Sequence, residues 1–216
     1  MTEATSRPPA EAPRLAILGR TGSLFTRVAL IFAEEAGVDY ELIVLEDLMA
    51  DDPAAYSGNP ALRIPVLRLP GGELFGSQNI CRALAARSTR PLRTVWPEDL
   101  AGAAAMNAQE LVRQSMAAQV QLLMATEFGK AAPGDAFLAK TLAGLERSLR
   151  WLDGHLAGII ATLPPERSLS TLEVELFCLV EHLEFGPTVP IGRYRSLLDF
   201  ADGFRTRPSA RRTAFR

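Results

Sequence analysis

The sequence has few cysteines and few histidines. Cys81 and Cys178 lie nearly a hundred positions apart, and His155 and His182 are its only histidines. Neither cysteine has a close Cys or His partner, so the spacing excludes a disulfide framework, a zinc site and CxxC redox chemistry. Both cysteines fall in apolar helical patterns, which predicts buried, unreactive thiols and no bound metal. This cysteine usage is typical of a cytoplasmic protein. The two histidines also fall in helical patterns without a catalytic partner, so we interpret them as surface or core residues.

Charge of one sign and long apolar runs are also scarce. The 216 residues include 23 Lys and Arg against 25 Asp and Glu, a net charge of -2. So balanced a charge disfavours a nucleic-acid partner. The longest apolar run, Val28–Ala33, is far shorter than the ~20 residues that a membrane span needs, so no membrane partner is expected. Hydrophobic residues make up 48% of the chain, which suits a folded protein with a sizeable core.

The first half of the chain has the pattern of a small α/β sheet. Strands are predicted at Arg14–Gly19, Tyr40–Leu45, Val66–Leu69 and Glu73–Phe75, with helices over Thr26–Ala36 and from Ser77 onward. The first two strands flank a helix, as in a parallel βαβ unit, and the apolar character of the second predicts burial on both of its faces. A Pro-Gly-Gly turn joins the last two strands as a hairpin.

The pattern changes after Arg87. The segment STRPLRTVWPEDL contains two prolines and no periodicity, so residues 88–96 are predicted to be a linker, and Pro97 suits the first turn of the next helix. Residues 1–13 are rich in Pro, Ala and Glu and lack an apolar stretch for a secretory signal, which predicts a disordered tail. The expected domains are therefore residues 14–87 (α/β) and 97–216 (all-α).

The second half of the chain is predicted to be helical. Apolar residues recur at three- and four-residue steps in two long stretches that are separated near residues 129–134, which predicts two long amphipathic helices. The segment Ser170–Phe185 is apolar nearly all round, as expected of a central buried helix. Ser170 and Glu173 have the spacing of a capping box at its start. A last helix carries Leu197, Ala201 and Phe204.

Residues that carry chemistry are found where strands end and helices begin. In a small α/β sheet this edge gathers free N–H groups and helix dipoles, and so it favours ligand binding. The loop Gly19–Ser23 offers the hydroxyl groups of Thr21 and Ser23, and Ser77 is placed to cap the helix that follows Gly76. Composition alone favours an ordinary helix cap or turn residue at each of these hydroxyl positions.

Pro65 marks a third feature of this edge. A proline directly before a strand makes the preceding residue, Ile64, extended. The N–H and C=O of Ile64 are then available to pair with an added peptide-like strand.

These segments together resemble the cytosolic glutathione transferases of the bacterial theta-like or beta-like type. The segment NPALRIPVL (59–67) resembles the family's NPxGxVPxL, and LFGSQNICRAL (74–84) resembles its LxESxAIxxYL. LSTLEV (169–174) is similar to the family's capping-box segment, and RPSARR (207–212) to its RPS stretch. The resemblance covers Arg14 to Arg212. It implies a thioredoxin-like N-terminal domain followed by an all-helical C-terminal domain, an α/β plus all-α fold.

The resemblance also implies a glutathione site. Pro65 is expected to be cis, and the backbone of Ile64 to pair with the cysteinyl part of glutathione. The hydroxyl group of Ser77 would bind the γ-glutamyl carboxylate, and Arg63 the glycyl carboxylate. Ser23, with Thr21 as the alternative, would activate the glutathione thiol.

The chain departs from the family pattern at several of these positions. Gly76 replaces the acidic or amide residue before the serine, so Gln78, Glu110 or an acid from a partner subunit would have to bind the glutamyl ammonium. Leu62 replaces a usual glycine, and the first loop holds no cysteine.

Two functions remain open from the sequence. One is a glutathione transferase that uses glutathione as co-substrate against a small hydrophobic electrophile. The other is a non-catalytic binding or protein-interaction module of the same fold. In either case the resemblance implies a homodimer.

Overall fold

The computed structural model of the chain describes residues 15–127, 129 and 134–216. The predicted tail, residues 1–13, and Arg14 lie outside the described residues. The described residues form two layers that meet in one continuous hydrophobic core. A four-stranded mixed sheet with its helices makes up the first part, and a set of α-helices makes up the second.

The sheet has the strand order β2-β1-β3-β4. Its strands are β1 (Leu15–Gly19), β2 (Tyr40–Val44), β3 (Val66–Leu69) and β4 (Gly72–Phe75). Strands β1 and β2 are parallel, and β1–β3 and β3–β4 are antiparallel. The predicted βαβ unit and hairpin are therefore both confirmed.

The expectation that β2 is buried on both faces is wrong. Strand β2 lies at the edge of the sheet, where Glu41 is exposed and the side chain of Val44 is 49% exposed. Its apolar residues are only partly buried: Tyr40 and Leu42 pack against the main core, and Ile43 packs against the small cluster around Tyr56.

Two helices pack against the sheet. Helix α1 (Leu24–Ala36) begins two residues earlier than the apolar spacing predicts, because Ser23 supplies its N-cap. Its residues Val28, Ile31 and Phe32 are fully buried. Helix α2 (Ser77–Ala85) packs on α1 and buries Ile80 and Leu84. A short 3-10 helix at Pro53–Tyr56 lies between β2 and β3.

The second half is helical, as predicted. Its helices are α3 (Ala103–Glu127), α4 (Ala136–Thr162), α5 (Thr171–Phe185), α6 (Arg195–Arg205) and α7 (Pro208–Arg212), with 3-10 turns at Pro97–Asp99 and Ile191–Arg193. The two long helices α3 and α4 are separated where the sequence places their boundary. Pro97 begins a 3-10 turn rather than the first turn of α3, so this detail of the prediction is wrong.

The predicted linker contains a strand. Strand β5 (Thr94–Val95) pairs in parallel with β6 (Leu169–Ser170), directly before α5. Two residues are too few to show a periodicity, which is why the sequence pattern does not reveal them. The boundaries of the two domains at residues 14–87 and 97–216 remain a prediction.

Helix α5 is the central helix of the core. Leu176, Phe177 and Val180 are fully buried. The Ser170 hydroxyl group accepts the Glu173 N–H at 3.1 Å, as a capping box requires. The Glu173 carboxylate instead accepts hydrogen bonds from the Ser170 hydroxyl group and from Arg167, so the reciprocal half of the box is replaced by an ion pair.

Both cysteines are buried and unpaired, as predicted. Burial raises the pKa of Cys178 to about 12 and that of Cys81 well above its ordinary value. Neither thiol forms a thiolate at neutral pH, which agrees with an unreactive role in packing.

Candidate functional site

Strand register brings three separate segments to one edge of the sheet. Leu18 in β1 lies opposite Val66 in β3, and Val66 lies opposite Phe75 in β4. The loop that follows β1, the Ile64–Pro65 segment before β3 and the Gly76–Ser77 segment after β4 therefore emerge side by side. This is the edge at which the sequence pattern places the candidate site.

The peptide bond between Ile64 and Pro65 is cis, as expected from the resemblance. Within the described residues, neither the N–H nor the C=O of Ile64 takes part in a protein hydrogen bond. The buried Asn59 fixes this loop, since its side chain donates to the Arg63 carbonyl at 2.8 Å. The loop thus presents a free peptide edge, and the Arg63 side chain is exposed beside it.

Leu62, in the segment NPALRIPVL, has a left-handed backbone conformation. Its φ of 52° lies in the left-handed region that side chains disfavour. The family segment that it resembles has a glycine at this position. The chain keeps the turn and tolerates the leucine, which packs in the small cluster around Tyr56.

The start of α2 differs from the sequence prediction. The N-cap is Gly76, with φ 83° and ψ 134°, and Ser77 is the first helical residue rather than the cap. The first helical hydrogen bond runs from the Ile80 N–H to the Gly76 carbonyl at 3.2 Å. The amides of Ser77 and the two residues after it are consequently left for other acceptors. The hydroxyl group of Ser77 makes no hydrogen bond to the described residues, and it too is available.

Gln78 is turned toward the helical half of the molecule. The end of its side-chain amide lies against the guanidinium group of Arg113 on α3, a position that suits the amide oxygen as acceptor. Arg113 Nε donates to Glu175 Oε2 at 3.1 Å, and Gln109 Nε2 donates to the same oxygen at 2.5 Å. Burial raises the pKa of Glu175, although Arg113 and Gln109 both favour its charged form. This chain of contacts ties the start of α2 to the central helix α5.

The first loop places its two hydroxyl groups differently. Ser23 accepts the Thr26 N–H at 3.3 Å and so caps α1. Within the described chain, the Ser23 O–H donates to no protein group. Thr21 instead uses its proton, since Oγ1 donates to the Arg216 carbonyl at 3.1 Å. Of the two hydroxyl groups, only Ser23 combines a position at a helix N-terminus with a free proton.

His182 is a core residue, within the expectation of a surface or core histidine, and it contacts the first loop. It is buried on α5, and its Nε2 lies 3.2 Å from the Gly22 carbonyl oxygen in the first loop. It lies on a helix that is apolar nearly all round, where a buried polar group requires a partner. Burial lowers the pKa of His182, which keeps the imidazole neutral at neutral pH.

Arg27 is a buried charged residue that the apolar pattern of α1 does not reveal. It is 1% exposed on α1, 3.2 Å from Glu181 and stacked against Phe177 and Phe215. Its guanidinium group joins α1 to α5 and to the chain after α7. It therefore holds α1 against the helical half of the molecule.

An apolar surface adjoins the first loop. The side chain of Phe185 is 53% exposed, and a Cβ atom added to Gly22 would lie 3.7 Å from its ring. Met116 on α3 is fully buried and belongs to the core. An open groove beside Val38, Tyr40 and Arg90 lies at the opposite end of β2, away from this edge.

Across residues 15–127, 129 and 134–216, no three His, Cys, Asp or Glu side chains are grouped so that they could hold a metal ion. No helix of this part of the chain has the length and apolar character needed to cross a membrane.

Comparison with known proteins supports the family. Residues 22–87 match the model of the glutathione S-transferase N-terminal domain. No curated protein sequence matches the chain significantly. Among solved structures, the glutathione S-transferase of Methylobacillus flagellatus KT, with glutathione bound, superimposes with a TM-score of 0.75 at 23% identity, over 94% of this chain and 100% of that one.

Two further structures are similar. The glutathione S-transferase of Methylobacterium radiotolerans JCM 2831, in complex with glutathione sulfonate, has a TM-score of 0.73 at 21% identity, covering 94% of this chain and 96% of the other. A glutathione transferase family member of Pseudomonas fluorescens Pf-5, with bound S-(propanoic acid)-glutathione, has a TM-score of 0.71 at 19% identity, over 94% and 100%.

The solved structures establish the fold, a thioredoxin-like domain followed by a helical region. Residues 22–87 match the glutathione S-transferase N-terminal domain model, and the described chain shares the fold of the solved glutathione S-transferases.

Proposed function

We propose that the chain is a glutathione transferase that binds glutathione at the sheet edge and activates its thiol for attack on a small hydrophobic electrophile. The observation that carries the proposal is the convergence of three features at one edge. These are the free peptide edge of Ile64, the unpaired hydroxyl and amides at Ser77, and the free O–H of Ser23. Each matches one part of the tripeptide.

The carboxylate of the γ-glutamyl group fits the start of α2. The Ser77 hydroxyl group and the first amides of the helix would donate to it, and the helix dipole favours a negative charge there. Each hydrogen bond to a charged group contributes ~1.5–3 kcal/mol. The peptide of the cysteinyl residue would pair with Ile64 as an added strand, and Arg63 would bind the glycyl carboxylate. Glutathione and its derivatives in the similar structures support this assignment.

The thiol activation needs no general base. A cysteine thiol has a pKa of ~8.5, and lowering it by about two units requires ~2.7 kcal/mol of preference for the thiolate. One hydroxyl hydrogen bond to the sulfur contributes ~1.5–3 kcal/mol. The N-terminus of α1 adds ~0.3–1 kcal/mol. Ser23 at that terminus is therefore sufficient, with Thr21 as the alternative donor. The exposed ring of Phe185 would receive an apolar electrophile beside the thiolate.

Gly76 favours a second candidate function. A φ of 83° suits glycine, so the position offers no acidic or amide side chain to the glutamyl ammonium. Gln78 directs its amide oxygen to Arg113 and not to a ligand cation. A site that lacks a partner for the ammonium would bind glutathione weakly. The fold would then serve as a non-catalytic binding or protein-interaction module.

Calorimetric titration with glutathione separates the two candidates. The transferase proposal expects saturable binding that Ser77→Ala weakens about ten- to hundredfold, the loss of one hydrogen bond to a charged group. Asn79→Ala serves as a matched control on the same helix, because its side chain donates to the Phe75 carbonyl. Equal affinity in the parent and in Ser77→Ala would place the ligand elsewhere. No binding by the parent would favour the module.

The proposal includes a homodimer in the cytoplasm, as the family resemblance implies. Sedimentation at micromolar concentration checks the assembly, and a single species of monomer mass would contradict it. Glu110 on α3 is exposed, and it or an acid from the second subunit would bind the glutamyl ammonium in place of a side chain at Gly76.

A further inference from the structure

The peptide unit between Gly22 and Ser23 is held at both ends. The Ser23 N–H donates to the Arg20 carbonyl at 3.1 Å. The Gly22 carbonyl, on the other side of the same planar peptide, lies 3.2 Å from His182 Nε2. Because a peptide unit is rigid, fixing both groups fixes the direction in which the Ser23 side chain leaves the backbone.

The imidazole of His182 is itself held in one tautomer. Gln119 Nε2 lies 3.2 Å from His182 Nδ1 and also donates to the Gly186 carbonyl at 2.7 Å. The other end of the Gln119 amide accepts the hydroxyl proton of Thr188. An amide N–H that points at Nδ1 requires a lone pair there, so the ring proton sits on Nε2 and donates to Gly22.

The side chains of His182 and Gln119 are shielded from solvent and closely packed. His182 and Gln119 are buried, with exposures of 4% and 0%. The edge of the imidazole meets the Phe215 ring, with 5.2 Å between the ring centroids. A buried polar chain in which the members satisfy one another specifies a single geometry.

We infer that His182, oriented by Gln119 and Thr188, is a positioning residue that holds the Gly22–Ser23 peptide so that the Ser23 hydroxyl group points at the glutathione sulfur. The inference rests on the proposed function for the role of Ser23. The clamp on the loop stands on the contacts alone. His182 contacts neither substrate and acts through the backbone of the first loop.

The test compares His182→Leu, which removes the donor, with His182→Gln, whose side-chain amide can still donate to Gly22. His155→Gln is the control, because His155 is exposed and its ring stacks on Trp151 at 4.2 Å. The first readout is hydrogen exchange of the Ser23 amide in the free protein. We expect His182→Leu to accelerate this exchange about tenfold, and His182→Gln to restore part of the protection.

The second readout is the ultraviolet absorbance of the bound glutathione thiolate against pH. His182→Leu should raise the thiol pKa by about one unit, a tenfold loss of thiolate, while the glutathione affinity stays within about twofold. Thr188→Val, remote from the loop, should change both readouts in the same direction and less.

Three outcomes separate the hypotheses. If His182→Leu lowers thermal stability but leaves the Ser23 amide exchange at the parent rate, His182 is merely structural and the inference fails. If the exchange accelerates but the thiol pKa is unchanged in a parent that ionises the thiol, the clamp does not serve Ser23, and the inference fails. If the parent itself does not ionise the thiol, the proposed function fails, and the amide exchange still decides whether His182 holds the loop.

Discussion

The hydroxyl group of Thr21 donates a hydrogen bond to the main-chain carbonyl of Arg216, with 3.1 Å between the two oxygens. This bond uses the only proton that the Thr21 side chain has. Ser23, two residues later, accepts the Thr26 N–H and keeps its own proton. The two hydroxyl groups of the first loop are therefore not equivalent as donors to a thiolate.

Substitution of Ser23 should therefore abolish thiol activation, and substitution of Thr21 should not. Ser23→Ala is expected to lower the conjugation rate about ten- to hundredfold, the loss of one hydrogen bond to a charged acceptor. Thr21→Val should leave it within about threefold. Conjugation of a small aromatic electrophile with glutathione, followed by absorbance, measures both. An equal loss in the two variants would mean that Ser23 has no special role.

A third variant separates the role of Ser23 as the N-cap of α1 from its proposed role in thiol activation. Ser23→Asp keeps a good N-cap for α1, so its stability should stay near the parent value, whereas Ser23→Ala should lose about 1 kcal/mol. The aspartate carries no proton and repels a thiolate. The conjugation rate of Ser23→Asp should therefore fall at least as far as that of Ser23→Ala. A normal rate in Ser23→Asp would show that Ser23 only caps the helix.

Gly19 is required by close packing at the end of β1. A Cβ atom at this position would come within 2.6 Å of Thr26 Oγ1 and nearer still to its methyl group. Thr26 is fully buried, so it has no room to yield. Gly19→Ala should cost about 1–3 kcal/mol in the free energy of unfolding by urea.

Gly22 provides the matched comparison in the same loop. A Cβ atom there would lie 3.6 Å from the Arg216 carbonyl oxygen, an ordinary contact distance. Gly22→Ala should stay within about 0.5 kcal/mol of the parent. Equal losses in the two variants would show that the contact with Thr26 does not set the requirement at Gly19.

Arg113 is expected to stabilise the contact between α2 and α5. Arg113→Met would leave the Glu175 carboxylate buried beside Gln109 without a cation. A buried unpaired charge is costly, and with the side chain of Arg113 30% exposed we expect a loss of about 1–3 kcal/mol in the free energy of unfolding. The double variant Arg113→Met/Glu175→Gln should recover part of that loss. If the double variant is less stable than Arg113→Met, the buried charge is not the cause.

The sequence predicts the fold well where apolar periodicity is strong. Helices α4 and α5 follow from apolar spacing, because one buries a face and the other nearly all of its faces, and the hairpin of β3 and β4 follows from its Pro-Gly-Gly turn. Strand β5 is too short to carry a period. The exposure of β2 depends on which strand lies at the sheet edge, and a local pattern carries no such information.

The candidate site was predictable only in part. The motif around Pro65 and the serine at position 77 lie on short sequence segments with their own turn chemistry. The contacts of His182 with Gly22 join residues 160 positions apart. The ion pair of Arg27 with Glu181 likewise spans 154 positions. Such pairs are fixed by how α1 packs on α5, and a single sequence does not reveal which polar residues that packing brings together.

The carboxylate of Glu35 joins α1 to the short helix α7, and it makes the stability of the molecule depend on acid. Glu35 Oε1 accepts from Arg207 Nε at 2.9 Å and from the Ser209 hydroxyl group at 2.6 Å. Burial alone would raise the pKa of Glu35. The hydrogen bonds of Arg207 and Ser209 and the charges of Arg207 and Arg90 outweigh burial, so the pKa is lowered from its usual 4.5.

A carboxyl group whose pKa is lower in the folded state stabilises the fold fully above its unfolded pKa. This stabilisation is lost as the pH falls through the folded pKa. Glu35→Gln should therefore be less stable than the parent by about 1 kcal/mol at neutral pH, since the ion pair is partly exposed. The gap should close as the pH drops below about 4. Urea unfolding of both proteins at pH values from about 7 down to 3 measures this difference in the free energy of unfolding. A gap that stays constant over this range would show that the shape of the side chain, and not its charge, holds α7 against α1.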